Sequence, residues 1–154
     1  MLRTPEPYMR RAIAVAKQAT YDGGAAIGAV IVDESGEVIA VGESLVRVAK
    51  DPTSHAEINA IRAAAKKRGG DDLFGCVLYC TLEPCHMCLS AAAWARLANV
   101  YFGAYRKDVD AALFDIKGDF SDEKEAARMN LRGDVKMKAQ GGFLEAECAA
   151  LLSS

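Results

Sequence analysis

One histidine and two cysteines are the side chains in this sequence best suited to hold a metal ion. His55 is one of only two histidines, and Cys85 and Cys88 follow it thirty and thirty-three positions later. Residues three apart share a face when the segment is helical. Two thiolates and one imidazole suit a tetrahedral zinc ion, and three protein ligands leave the fourth position for water. An open position of this kind is typical of a catalytic zinc site.

Glu57 places a carboxyl group only two residues after His55. A carboxylate beside a zinc-activated water can take its proton and pass it on, which is general acid–base catalysis. Residues i and i+2 of a regular helix do not share a face, which argues against this role. Glu57 also follows Ser54 by three residues, the spacing of a capping box. A structural role at a helix N-terminus is therefore the alternative interpretation.

The C-x-x-C pair of Cys85 and Cys88 has alternative interpretations of its own. A redox pair is one, because the motif follows a predicted strand and precedes a predicted helix. Half of a four-cysteine zinc site is disfavoured, since the sequence holds no second C-x-x-C. A non-catalytic binding module with the same residues is a third possibility. The combination of H-x-E with P-C-x-x-C is more specific than either part, and it is the signature of zinc-dependent deaminases.

The elements that must position these residues alternate between helices and strands, which predicts an α/β fold. Helical periodicity, prolines and glycines predict helices over residues 8–22, 55–68, 83–94, 108–114 and 143–152. Runs of β-branched and aromatic residues predict strands over residues 27–33, 38–48, 77–80 and 100–102, with an edge strand at 135–137. Residues 118–130 are charged on every face and are assigned to no element.

Composition narrows the class of protein. The 154 residues are 51% hydrophobic and 26% charged, which predicts one globular domain over residues 1–154. A net charge of -2 argues against a basic surface that coats nucleic acid. Without a membrane-length apolar run or a signal-peptide core, we expect a cytoplasmic protein with no membrane partner. The odd number of cysteines, 5, favours metal binding or catalysis over a disulfide scaffold.

Three segments carry a resemblance to a known family. Residues 51–57 (DPTSHAE), 81–88 (TLEPCHMC) and 27–30 (IGAV) resemble the cytidine deaminase-like superfamily, in the branch of guanine, cytosine and tRNA adenosine deaminases. The resemblance implies a three-layer α/β/α fold around a central five-stranded mixed sheet. It implies one zinc ion per chain on His55, Cys85 and Cys88, with Glu57 as the proton shuttle in a hydrolysis that releases ammonia. A homodimer is the usual assembly of this branch.

The resemblance favours a free nucleobase or a related small heterocyclic amine as substrate. Trp94, followed by Ala and Arg, resembles the pattern after the zinc helix of bacterial guanine deaminases. Asp115 matches an acidic stretch in which an Asp of those enzymes contacts the substrate. The backbone around Ala56 and the strand residue Ile27 are further expected substrate contacts. The alternative interpretations are a core position for Trp94 and a solvated charge for Asp115.

Ser44 departs from the family pattern at a position expected to contact the substrate. Relatives carry an Asn there, whose amide reads the edge of the base. A serine hydroxyl is shorter and cannot present a paired donor and acceptor. Ala26 likewise replaces a proline before the first strand. These departures favour a different ring from guanine or adenine, such as a triazine, a pterin or a modified base.

Deamination of adenosine in tRNA is the alternative function. Residues 77–84 and 147–152 resemble that family closely. Those relatives continue into a basic terminal helix, whereas this sequence ends at Ser154. Residues 106–138 contain eight basic and eight acidic side chains, so they offer no net attraction for RNA phosphates. The sequence therefore favours a small-molecule substrate, with tRNA as partner only under the alternative.

Overall fold

The computed structural model describes residues 4–109 and 136–152. Its helices are α1 (Glu6–Tyr21), α2 (Val46–Ala49), α3 (Ala56–Arg68), α4 (His86–Trp94) and α5 (Glu145–Ala150), with a 3-10 turn at Arg106–Asp108. Its strands are β1 (Ala25–Val32), β2 (Val38–Ser44), β3 (Val77–Leu82), β4 (Asn99–Ala104) and β5 (Lys138–Gln140). Asp115, most of the predicted helix at 108–114 and residues 116–132 lie outside the described residues.

The described strands form one mixed sheet in the order β2-β1-β3-β4-β5. β1 runs antiparallel to both of its neighbours, β2 and β3. β3, β4 and β5 are parallel to one another. Burial follows this arrangement, since six of the eight residues of β1 and five of the six residues of β3 are buried. The predicted α/β fold with a five-stranded mixed sheet is confirmed.

Helices cover both faces of the sheet, as predicted. Gly42 of β2 pairs with Ala29 of β1, so the preceding residue, Gly28, faces the opposite side. A Cβ on Gly42 would overlap the backbone of α3, and a Cβ on Gly28 would overlap the backbone of α1. α5 lies on the α1 side, where Arg10 pairs with Glu147 at 3.2 Å, and α4 packs against α3. The absence of a side chain at Gly42 is therefore what lets α3 lie directly on β2.

Three element boundaries differ from the predictions. The strand predicted over 38–48 ends at Ser44, because the Leu45 N–H bonds the Ser54 carbonyl (2.9 Å) and the chain turns into α2. The helix predicted from residue 83 begins at His86, after an extended Cys85. The edge strand predicted at 135–137 lies at Lys138–Gln140, where its register is set by pairing with β4. No helix in the described ranges is both long and apolar enough to cross a membrane.

Substituting Gly42 by alanine tests the close seating of α3. The new Cβ would meet the Ala56 carbonyl and the Ala60 amide, so α3 must move away from β2. We expect a loss of about 1–3 kcal/mol in the free energy of unfolding, the usual cost of overpacking. Gly70→Ala is the matched control, because nothing lies within 4 Å of a Cβ placed there. Equal denaturation midpoints for the two variants would contradict the close seating.

Candidate active site

The three candidate metal ligands lie at the N-termini of two adjacent helices. His55 is the N-cap residue of α3 and Cys85 is the N-cap residue of α4. Both have extended backbone angles, with φ −73° and ψ 157° for His55 and φ −74° and ψ 171° for Cys85. Neither side chain caps its own helix, and Cys88 follows in the first turn of α4. Packing of α3 against α4 therefore brings an imidazole and two sulfurs together.

The distances between these donor atoms fit a tetrahedral zinc ion. His55 Nδ1 lies 3.6 Å from the Cys85 sulfur and 3.4 Å from the Cys88 sulfur, and the sulfurs are 3.5 Å apart. Bond lengths of about 2.3 Å for Zn–S and about 2.0 Å for Zn–N place tetrahedral donors about 3.5–3.8 Å apart. Both thiols are free, and no fourth described residue joins this ligand group. The described set thus has the three-ligand composition of a catalytic zinc site.

The pKa values of the three candidate ligands also favour binding of a cation. A hydrogen bond between the sulfurs, aided by His55, lowers the pKa of Cys85 to about 4, so this side chain is a thiolate at neutral pH. The Cys85 sulfur and burial raise the pKa of Cys88. The hydrogen bond with Cys85 raises the pKa of His55. A divalent ion binding here would displace the remaining protons, as metal binding to thiols and imidazoles does.

Glu57 lies beside this set, in the first turn of α3. It is 4% exposed, and burial raises the pKa of its carboxyl, although a hydrogen bond with Cys88 opposes that rise. The helical argument against Glu57 does not apply, because the backbone of His55 is extended and the two residues do not belong to one regular turn. The capping box expected from Ser54 does not form. His55 occupies the N-cap position, and Ser54 Oγ instead accepts a hydrogen bond from Asn59 (3.0 Å).

A cavity of about 660 Å³ is lined by Glu57 and by two of the candidate metal ligands, His55 and Cys85. Three of the predicted substrate contacts line it, namely Ile27, Ser44 and Ala56. All three are buried, so they form the inner part of the cavity. The end of β2, the start of β1 and the start of α3 thus surround the same space.

The structure does not bring Trp94 to this cavity. Trp94 is the last residue of α4, is 59% exposed, and is not among the described residues that line the cavity. The physical reason is the length of α4, since nine residues separate Trp94 from Cys85 and correspond to about 13 Å of helix. The alternative core position for Trp94 is also wrong, given its exposure. The other substrate candidate after the zinc helix, Asp115, lies outside the described residues.

Sequence reasoning missed two arginines that line the cavity, Arg47 and Arg106. The sequence pattern places Arg47 in a strand, whereas its position in α2 depends on the hydrogen bond between Leu45 and Ser54 that ends β2. The available signal was length, since the predicted eleven-residue strand exceeds the common range of about 3–10 residues. Arg106 follows β4, and its backbone N–H donates to Glu83 Oε1 (3.0 Å). No local pattern indicated that this residue lines the same space.

Asn59 connects the end of β2 to the segment before His55. Its Nδ2 donates to the Glu43 carbonyl (2.7 Å) and to Ser54 Oγ (3.0 Å). Glu43 precedes Ser44 and Ser54 precedes His55, so one amide links the neighbours of a cavity residue and of a metal ligand. Asn59 is therefore a positioning residue for the site.

Asn59→Ala is expected to lower the free energy of unfolding by about 1–3 kcal/mol, because half-buried acceptors lose their donor. Asn59→Asp keeps the shape but places a carboxylate against a carbonyl, and we expect it to be at least as destabilising. Lys66→Ala, at an exposed position of the same helix, is the control and should change little. Chemical denaturation measures all three. A stable Asn59→Asp variant would show that the amide donor is not required.

Comparison with known proteins places these observations in a family. The family model for the cytidine and deoxycytidylate deaminase zinc-binding region matches residues 2–104. That range contains the whole metal set and Glu57.

Individual relatives agree with the family match. The guanine deaminase of Bacillus subtilis (strain 168) is 43% identical over 111 residues, which are 71% of this chain and 70% of that protein. Its solved structure, 42% identical, covers 73% of this chain and 70% of that chain with a TM-score of 0.67. The tRNA-specific adenosine deaminase of Bacillus subtilis (strain 168) is 39% identical over 153 residues, 97% of this chain and 86% of that protein.

The fold also matches more distant structures. A guanine deaminase from Nitrosomonas europaea, 23% identical, has a TM-score of 0.83 over 99% of this chain and 84% of that chain. This likeness concerns the fold, which is the α/β arrangement described above. The metal set, the family match over residues 2–104 and the two Bacillus subtilis relatives converge on one chemistry. The chain belongs to the cytidine and deoxycytidylate deaminase family and is a zinc-dependent hydrolytic deaminase.

Proposed function

We propose that this deaminase acts on the exocyclic amino group of a free nucleobase or a related small heterocycle. The observation that carries the proposal is the buried carboxyl of Glu57, which lines one cavity together with His55 and Cys85, two of the three grouped metal ligands. The similarity to a guanine deaminase, at 43% identity, supports a small ring as substrate. In the reaction one water is consumed, the ring carbon exchanges its amino group for oxygen, and ammonia leaves.

The residues of the cavity have distinct proposed roles. Zinc bound to His55, Cys85 and Cys88 would supply a nucleophile by lowering the pKa of water. Glu57 would accept a proton, deliver it to the ring nitrogen and then assist the departing amine. A carboxyl whose pKa is raised by burial suits this exchange, because it gains and releases a proton more evenly near neutral pH. The raised pKa thus supports a carrier role over a fixed charge.

The proposed substrate contacts lie above this proton carrier. The backbone at Ala56 and the side chains of Ile27 and Ser44 would orient the ring, with Asp115 as a further contact. Trp94 is not among the described residues that line the cavity of its own chain, so it would reach a substrate only across an interface between subunits. Ser44 in place of an amide supports a ring other than guanine or adenine, such as a triazine or a pterin.

Ammonia release from a panel of compounds tests the proposed function. Zinc-loaded protein is incubated with free bases, nucleosides, triazines, pterins and a tRNA anticodon stem-loop. We expect ammonia from at least one small heterocycle, and the Glu57→Ala variant controls for contaminating deaminases. Response from the stem-loop alone would overturn the small-molecule assignment.

Deamination of adenosine in tRNA is the second candidate function. The specific observation in its favour is coverage, because the tRNA-specific relative matches 97% of this chain, against 71% for the guanine deaminase. The charge balance of residues 106–138, eight basic and eight acidic, opposes it. The stem-loop arm of the panel decides between the two.

We also propose that residues 1–154 act as one domain, that the chain forms a homodimer, and that it works in the cytoplasm. Two exposed aromatic side chains support an interface, since Trp94 is 59% and Phe74 is 54% exposed. The Arg96 guanidinium lies over the Phe74 ring, 4.9 Å from its centroid. Sedimentation equilibrium is expected to give twice the chain mass of 16.4 kDa, and a monomer would contradict the dimer.

A further inference from the structure

The cavity has more positive charge in its wall than a neutral ring requires. Arg47 of α2 and Arg106, which follows β4, both line it together with His55 and Cys85. The two residues are fifty-nine positions apart in the sequence, so the fold brings both to the same cavity. A guanidinium stays charged at any physiological pH and pairs preferentially with carboxylate or phosphate groups.

Exposure separates Arg47 from the reacting end. Ser44 is 7% exposed and Glu57 is 4% exposed, whereas Arg47 is exposed. Arg106 is half-buried, as are His55 and Cys85, and its positive charge acts on His55. Arg47 therefore lies on the solvent side of the cavity, and Arg106 lies nearer the metal ligands. A substrate whose ring reaches Glu57 would present its far substituent to the guanidinium groups.

Nothing in the described structure neutralises Arg47. It forms no ion pair with residues 4–109 or 136–152. Apart from Glu57, the acidic residue in the cavity wall is Glu83, whose Oε1 already accepts the Arg106 backbone N–H. The solvent side of the cavity is thus left with an unpaired guanidinium.

The volume of the cavity also favours a substrate larger than a bare ring. A cavity of about 660 Å³ lies in the middle of the range of pockets that hold drug-sized ligands. A one-ring or two-ring base fills only part of that space. The remaining space leaves room for a substituent on the ring.

We propose that the preferred substrate is a heterocyclic amine with an anionic substituent, a carboxylate or a phosphate, which pairs with Arg47 and Arg106 while the amino group lies beside Glu57. This inference rests on the proposed function and narrows its substrate class. It makes Arg47 and Arg106 binding residues that distinguish charged from neutral rings.

Matched substrate pairs test the inference. The pairs are pterin with pterin-6-carboxylate, and cytidine with cytidine 5′-monophosphate, each assayed for ammonia release by zinc-loaded protein. For at least one substrate pair we expect kcat/KM of the anionic member to exceed that of the neutral member by about tenfold or more. This is the effect expected from one charge-assisted hydrogen bond. The pair that shows this preference tells whether the substituent is a carboxylate or a phosphate.

Variants locate the preference on the arginines. Arg47→Gln is expected to remove most of the preference, because it raises KM for the anionic member more than KM for the neutral member. Added salt should have the same effect, because it screens exposed charges. Lys50→Gln, which removes a nearby exposed cation outside the cavity wall, is the control. Fluorescence titration with pterin-6-carboxylate gives a binding readout that does not need turnover, and Arg47→Gln should weaken this binding.

The outcomes separate this inference from the proposed function. Equal or higher activity on the neutral members overturns the inference and leaves the small-molecule deaminase standing. An equal effect of Arg47→Gln and Lys50→Gln also overturns it. Activity on the tRNA stem-loop alone, or no ammonia from any compound in the wider panel, overturns the proposed function itself and this inference with it.

Discussion

Replacing Glu57 by alanine is expected to leave zinc bound while kcat for deamination falls by about 10²–10⁴-fold, the usual contribution of general acid–base catalysis. Glu57 lines the same cavity as His55 and Cys85, but it does not belong to the group of donor atoms that could share an ion. Its removal therefore takes away the proposed proton carrier without removing a ligand. Metal analysis and ammonia release on the same sample measure the two properties separately.

A matched control for Glu57→Ala is Glu34→Ala, which removes an exposed carboxylate paired with Arg68 at 3.1 Å. This surface change should leave both zinc content and turnover near those of the parent protein. Full activity of Glu57→Ala would contradict the proton-carrier role. Loss of zinc from Glu57→Ala would show instead that the carboxyl group is needed to form the metal set.

Cys88→Ala is expected to reduce zinc from one ion per chain to a small fraction of that, and to lower the melting temperature. Cys88 is fully buried at the start of α4, and its sulfur lies 3.4 Å from His55 Nδ1. Because zinc bound there joins α3 to α4, loss of the metal removes binding energy that stabilises the folded state. Metal analysis and calorimetric melting with and without a chelator measure the two losses.

Cys148→Ala is the matched control for the cysteine, because Cys148 is also a buried thiol but lies in α5, outside the metal set. It should cost some stability through lost packing and keep its zinc. Full zinc content in Cys88→Ala would remove the proposed metal site. Thiol–disulfide exchange that persists in the presence of a chelator would favour the redox interpretation of the C-x-x-C pair instead.

The ligand set was predictable from the sequence because its residues belong to short motifs at helix starts. His55 and Cys85 are N-cap residues whose side chains do not cap their own helices, so both are available at adjacent helix ends. The position of Glu57 was less predictable, because residues two apart point to different faces only when both are helical. His55 has an extended backbone, so its side chain and that of Glu57 can lie on the same side.

The walls of the cavity were less predictable than the metal set. Residues 45–48 have the β-branched composition of a strand, but the hydrogen bond from Leu45 to Ser54 ends β2 and forms α2. This contact joins residues nine positions apart and has no local signature, so Arg47 was assigned to the wrong element. The position of β5 likewise depends on its register with β4 and not on its own sequence.

The glycine contacts under α1 and α3 have a consequence for how this protein can change. Backbone-to-backbone contact at Gly28 and Gly42 leaves the helices no freedom to shift, so the reacting end of the cavity tolerates little variation. The outer wall includes the start of β1 and α2, where side chains can be exchanged without moving either helix. Laboratory evolution toward new ring systems should therefore accumulate substitutions at positions 25, 26, 46 and 47 while both glycines persist.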